Sequence, residues 1–257
     1  DTAEVGDTQV SIRGINGARD AETSFGLIID GIAMTNPAAL NREYLDLQQI
    51  EIVKGPQGAL YGRNASAGAI IITTAKPSDV RSHTVKVSIA DDSTYAVTGR
   101  ADIPLDDTKA LSITANFNTS DGWHSNTFLN CDDCVDQYES QDIYARLKWD
   151  VDAETSIDAK FRYGQVDTTS ILFNPIFELP GFAAYLGNPD LYEDVNDHPW
   201  SWVSNIPHFN DQESLELSVR MERDLGWANL TAWGLYSDIE NSFGADGTSG
   251  AFQFLFA

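Results

Sequence analysis

Apolar and polar positions alternate with period two in seven separate runs between residues 84 and 237. Val85, Val87 and Ile89 share one face, against Thr84, Lys86 and Ser88. Tyr95, Val97, Gly99, Ala101 and Ile103 oppose Thr98, Arg100 and Asp102, and Leu111, Ile113, Ala115 and Phe117 oppose Ser112, Thr114 and Asn116. Ile143, Ala145, Leu147 and Trp149 oppose Tyr144, Arg146, Lys148 and Asp150. Ile157, Ala159, Phe161 and Tyr163 oppose Asp158, Lys160 and Arg162. Leu215, Leu217, Val219 and Met221 oppose Glu216, Ser218, Arg220 and Glu222. The weakest run sets Leu230, Ala232 and Tyr236 against Asn229, Thr231 and Ser237, with Trp233 on the polar side. Such alternation predicts strands whose two faces meet different media. No apolar face carries a charge, whereas Lys86, Arg100, Arg146, Lys148, Lys160, Arg162 and Arg220 all lie on the opposite faces.

Periodicity alone fits a soluble sandwich as well as a transmembrane barrel. The connections separate the two. Those near residues 90–94, 105–109, 150–155 and 224–226 are short, while 119–140 and 167–212 are long. Outer-membrane barrels have short periplasmic turns and long external loops, and long structureless loops are uncommon in compact soluble domains. Tyr95, Trp149, Tyr163, Trp227 and Tyr236 near strand ends suit an interfacial aromatic girdle. The expected fold is therefore a partial transmembrane β-barrel of about seven antiparallel strands. Bacterial single-chain barrels have even strand counts and no open edge, and Phe252, Phe254 and Phe256 begin another alternating run. The sequence is read as a fragment of a longer protein, N-terminally truncated.

Residues 1–80 follow a different pattern, rich in Gly and Ala, and the composition shifts at Lys76-Pro77-Ser78. This predicts two domains, an α+β unit over 1–80 and the strand-rich wall over 81–257. The β-branched runs Ile50 to Val53 and Ile70 to Thr74 read as buried strands, Leu40 to Leu47 has helix-like spacing, and Leu60-Tyr61 suits a short helical turn. Charge is as uneven as pattern. Of the net −23, residues 1–80 contribute −4 and the remainder −19. That balance argues against nucleic acid as a partner, because phosphate binding needs a basic surface. No run approaches the ~20 apolar residues of a membrane-spanning helix, and residues 1–10 are too polar for a signal peptide.

Within the first domain stand Val10-Ser11-Ile12-Arg13-Gly14 and Ile28-Ile29-Asp30-Gly31-Ile32. The run from Ile50 through Lys54-Gly55-Pro56-Gln57-Gly58-Ala59-Leu60-Tyr61-Gly62-Arg63-Asn64 follows, then Ala69-Ile70-Ile71-Ile72-Thr73-Thr74 and Lys76-Pro77. Gly62 is followed by Arg63-Asn64 rather than Lys-Ser or Lys-Thr, so the Gly-rich run is no P-loop. In order and spacing these segments closely resemble the plug domain of TonB-dependent outer-membrane receptors. The resemblance covers about the first 80 residues. Lys54 stands where that family usually has Arg, Ala67 where a second Gly is usual, and Ile71 where Asn is common. The family's upstream energy-coupling box is not in the sequence.

The resemblance implies a plug held inside the barrel, with loops after Arg13-Gly14 and Asp30-Gly31 facing outward. Asn16, Arg19, Asp20, Thr35 and Asn36 in those loops are candidate ligand contacts, against ordinary polar turn chemistry. Arg13 and Lys54 match family cations that pair with barrel-wall carboxylates. The long connections are acidic, without Lys or Arg, and interleaved with aromatics. They read as a solvated surface, as Ca2+ bridges, or as aromatic platforms from Trp123, Trp200 and Trp202. Cys131 and Cys134 form a single CxxC, too few ligands for a tetrahedral zinc site; in an oxidising compartment a local disulfide is expected over free thiols. No HExxH or nucleophile-elbow pattern occurs, so an enzyme is not expected, and no resident cofactor is assigned.

By resemblance, the protein is expected in the bacterial outer membrane, surrounded by lipid and lipopolysaccharide. It would import a scarce large solute of the ferric siderophore, cobalamin or oligosaccharide class, gated by the plug and driven by a periplasmic TonB protein. The alternative is a receptor-like barrel serving surface interaction or assembly without transport.

Overall fold

The structure, a computed structural model, describes residues 10–16, 24–40, 42, 44–56, 58, 65–126, 129–132, 134–169, 201–202 and 206–244; side chains of 16, 37, 38, 201 and 202 are not included. Two strand systems face one another. The first is small. β1 (Ser11–Ile12) and β2 (Ile15–Asn16) form a hairpin, and β3 (Phe25–Ile29), β4 (Ile32–Met34), β5 (Leu47–Lys54) and β6 (Gly68–Thr74) form a mixed sheet in the order β4-β3-β6-β5. β3 runs parallel to β6, and every residue of β3 is buried. A continuous apolar run is what a strand covered on both faces requires. Its core joins Ile12, Phe25, Leu27, Ile29, Ala39, Ala67, Ile70 and Ile72.

Both hairpins turn by the same device. Ile12 pairs with Ile15 and Ile29 with Ile32, leaving the two-residue loops Arg13-Gly14 and Asp30-Gly31. All four loop residues have positive φ, 53° and 77° in the first loop, 50° and 80° in the second. That is the primed turn whose twist matches paired strands.

Two local expectations fail. The described residues of Leu40 to Leu47 form no α-helix: a 3-10 turn spans Pro37–Leu40 and Leu47 opens β5. Pro37 starts that turn readily, and Arg42 Nε (2.6 Å) and the Tyr44 hydroxyl (3.1 Å) both donate to the Ala39 carbonyl, which closes it. Secondly, β5 is exposed, not buried: on this edge strand Ile50 and Ile52 are half open, with none of the described residues covering them. Leu60 and Tyr61 lie outside the described residues.

The second system is a seven-stranded antiparallel meander. β7 (Ser82–Ala90), β8 (Thr94–Asp106), β9 (Lys109–Ser120), β11 (Tyr138–Asp150), β12 (Thr155–Thr168), β14 (Phe209–Asp224) and β15 (Asn229–Gly244) follow in chain order. The short turns after β8, β11 and β14 share one end. The two long connections share the other, where β10 (Ser125–Asn126) and β13 (Ser201–Trp202), one from each, pair in parallel.

Burial is inverted relative to a soluble sheet. Asp102, Ser112, Thr114, Asn116, Ser140, Asp142, Arg146, Arg162, Ser214, Glu216 and Ser218 are buried, while Val97, Ile113, Phe117, Ile143, Phe161, Leu217 and Val219 are exposed. The register puts Arg100, Thr114, Tyr144, Arg162 and Glu216 in one cross-strand row. All seven bases thus share the inner face. Lys86, on the open-edge strand β7, keeps an exposed side chain. A sheet with apolar residues outside and hydrogen-bonded polar groups inside belongs in lipid.

Candidate functional site

The plug sheet meets the inner face of the wall along a seam of ion pairs. Asp30 is at its centre, its side chain 4% exposed. Oδ1 accepts from the Thr74 amide at 2.8 Å, and Oδ2 accepts from the Thr74 hydroxyl and from Lys160 Nζ, both at 2.7 Å. Arg146 Nη1 lies 3.7 Å from Oδ1, donates to the Thr74 carbonyl at 3.0 Å, and its Nε and Nη2 grip Asp158 at 2.9 and 2.5 Å. Burial pushes the Asp30 carboxyl up, but Lys160, Arg146 and the Thr74 bonds outweigh it and hold the group below its ordinary value.

Two further contacts complete the seam. Arg42 makes a bidentate pair with Glu216, Nη2 to Oε1 at 2.6 Å. Asp46 meets Arg100 Nη1 at 2.6 Å and accepts from the Thr114 hydroxyl at 2.6 Å. Arg100 also holds Asp102 at 2.7 Å and the Lys76 carbonyl at 3.2 Å, while Asp102 accepts from the Ser78 amide at 3.2 Å. Chain leaving the plug is thereby tied to the wall it enters. Gly31 is pressed against Arg220: a Cβ there would lie 3.2 Å from the guanidinium carbon. Between the layers remains a cavity of about 70 Å3, lined by Asp30, Arg42, Tyr44, Lys160 and Glu216 among others. It has room for a few waters and none for a large solute.

The mouth lies at the long-loop end. There Asp136 accepts from the amides of Trp123 (2.9 Å) and His124 (3.0 Å) and pairs with His124 Nδ1 at 2.8 Å. Gly122, at φ 82°, passes so close to Asp136 that no Cβ would fit. The indole of Trp123 is 65% exposed on this fixed turn. Cys131 and Cys134 are joined, with Cα atoms 6.0 Å apart, and Cys131 exchanges backbone bonds with Asn126.

Thr35 and Asn36 follow β4 at the end of its hairpin remote from Asp30, and are exposed. The Asp30-Gly31 turn itself points into the half of the wall that carries short turns, beside Lys160 and Arg220. Arg13 and Lys54 are exposed and make no ion pair with the described residues; Arg13 lies near Gly55. Arg19, Asp20 and Trp200 fall outside the described residues, and Asn16 and Trp202 are described by backbone alone, Trp202 in register with Asn126. No three metal-ligating side chains converge among the described residues. Sequence reasoning missed Asp30, Arg42 and Asp46 as the plug's partners for the wall. For Asp30 and Asp46 the available signal was the row of inner-face bases, which needs carboxylates opposite, and for Arg42 the inner-face Glu216, which needs a cation.

A plug sheet seated by charge against the polar face of an outer-membrane barrel wall defines the class: a plugged transmembrane barrel. Residues 1–69 match the family model of the TonB-dependent Receptor Plug Domain. The chain is 25% identical over 212 residues to the vitamin B12 transporter BtuB of Vibrio vulnificus, covering 80% of this chain and 32% of that protein. It is 37% identical over 59 residues to the catecholate siderophore receptor Fiu of Escherichia coli, covering 23% of this chain and 8% of Fiu. Its fold matches the crystal structure of the ferric yersiniabactin uptake receptor FyuA from Yersinia pestis with a TM-score of 0.75 at 17% identity, over 95% of this chain and 37% of FyuA. The chain is similar to the TonB-dependent receptors of the outer membrane, its first 69 residues matching their plug domain, and it spans about a third of the Vibrio relative's length.

Proposed function

We propose that the receptor to which this chain belongs imports a scarce large solute across the outer membrane, with the plug as its gate. The cargo class is ferric siderophore, cobalamin or oligosaccharide, and a periplasmic TonB protein supplies the energy by acting on the plug. The observation that carries this reading is the seating of the plug. Asp30, Arg42 and Asp46 hold it to the wall by ion pairs around a small cavity, not by a continuous apolar core. Ion pairs whose charges regain water when the two faces part separate at lower cost than apolar packing of the same extent. The similarity to a vitamin B12 transporter and to siderophore receptors supports the cargo class.

Cargo contact is assigned to the mouth: Trp123 on its Asp136-tied turn, Thr35 and Asn36 beyond β4, and Asn16, Arg19, Asp20, Trp200 and Trp202 in the neighbouring loops. Ca2+ bridging would draw on the carboxylates of the long acidic connections. Lipopolysaccharide surrounds the outer rim. The test is uptake by cells carrying the full-length receptor as their only candidate importer, given labelled cobalamin, a panel of ferric siderophores and maltooligosaccharides in turn. One of these accumulates in cells with TonB and not in cells without it. Equal uptake with and without TonB, or none for any class, would reject the reading.

A further inference from the structure

The wall charges that hold the plug are neighbours of one another. Lys160 on β12 stands in register with Ser218 on β14, and Arg162 with Glu216. Lys160 and Glu216 are therefore diagonal neighbours on adjacent strands, facing the same side and lining the same cavity. Diagonal neighbours on a sheet face lie about 7–8 Å apart at the backbone, within reach of a long side chain. In the seated plug they are held apart: Lys160 by Asp30 at 2.7 Å, Glu216 by Arg42 through two bonds.

The other wall groups at the seam have wall partners already. Arg146 grips Asp158 and Arg100 grips Asp102, both partners standing on the wall itself. Lys160 and Glu216 differ, since among the described residues each has its ion pair only with the plug. On the wall Lys160 lies across from Arg146, a like charge.

We infer that Lys160 and Glu216 are an exchange pair: when the plug leaves the wall, they turn from Asp30 and Arg42 to each other. Two plug–wall pairs are then replaced by one wall–wall pair, and the bared lumen holds neither an unpaired cation nor an unpaired carboxylate at this level. The exchange offsets part of the cost of release and makes seating a choice between two paired arrangements. The inference rests on the reading that the plug moves against the wall.

The test is a double-mutant cycle on the purified full-length receptor without cargo or TonB. It compares wild type, Lys160→Met, Glu216→Gln and the double variant, each confirmed as folded by heat-modifiable migration on gels. Hydrogen exchange of the amides in β3 and β6 reports opening of the plug. Each single variant loses one seated pair and also the open-state pair. The product of wild-type and double-variant protection therefore falls roughly two- to fivefold below the product of the singles. Attraction between Lys160 and Glu216 in the seated state would shift the ratio the opposite way, so this sign belongs to the exchange. A ratio of one, or above one, overturns the inference. Because neither cargo nor energy coupling enters, that failure is distinct from failure of the uptake experiment.

Discussion

A carboxylate that accepts from two consecutive backbone amides fixes the chain around it, and Asp136 does so for Trp123 and His124. Burial pushes its carboxyl up, but the bonds from the His124 ring and the two amides outweigh burial and hold it below the usual carboxylate value. A carboxyl depressed in this way stabilises the turn above its unfolded-state pKa, and the contribution is lost as pH falls through the lowered value. Acidification should therefore release the turn, raising exchange at the Trp123 and His124 amides before the wall responds. Asp136→Ala should give the same release at neutral pH. Amide exchange by mass spectrometry on the loop peptide checks both, and an acid-insensitive loop in the wild type would contradict the assignment. None of this was legible in sequence. Asp136 was one of several acids in a loop without Lys or Arg, and the turn at Gly122, with its positive φ, that presents those amides has no signature in the residue pattern.

At the scale of elements, alternation located all seven wall strands because period two is a property of neighbours and needs no knowledge of the rest of the fold. It also put the seven bases on one face, which the register reproduces. The plug was less legible. Ile50 and Ile52 have the composition of a buried strand, yet whether β5 is covered depends on what packs over its face, which its own residues do not encode. The pairs Asp30–Lys160 and Arg42–Glu216 join residues more than a hundred positions apart and follow from docking alone. The outer face makes a sharper claim. Leu217 is exposed in mid-strand on β14, so Leu217→Arg should cost about 2–4 kcal/mol in the bilayer and depress the folding yield into liposomes. Leu217→Ala should fold nearly as well as wild type. Equal yields for the arginine and alanine variants would place this face away from lipid.

For the whole molecule, the account stands on the inversion of burial: the polar face of the wall holds the plug and the apolar face meets lipid. Spin labels at single cysteines along β14, in the full-length receptor reconstituted in liposomes, read this directly. Cysteines replacing Ser214, Leu215, Leu217, Ser218 and Val219 sample both faces in one strand. Labels at 215, 217 and 219 should be quenched by membrane-dissolved oxygen and shielded from a water-soluble nickel chelate. Labels at 214 and 218 should be immobilised against the plug, with low access to oxygen. Oxygen access at 214 and 218 equal to that at 217, or nickel access at 217, would contradict a plug-bearing membrane wall.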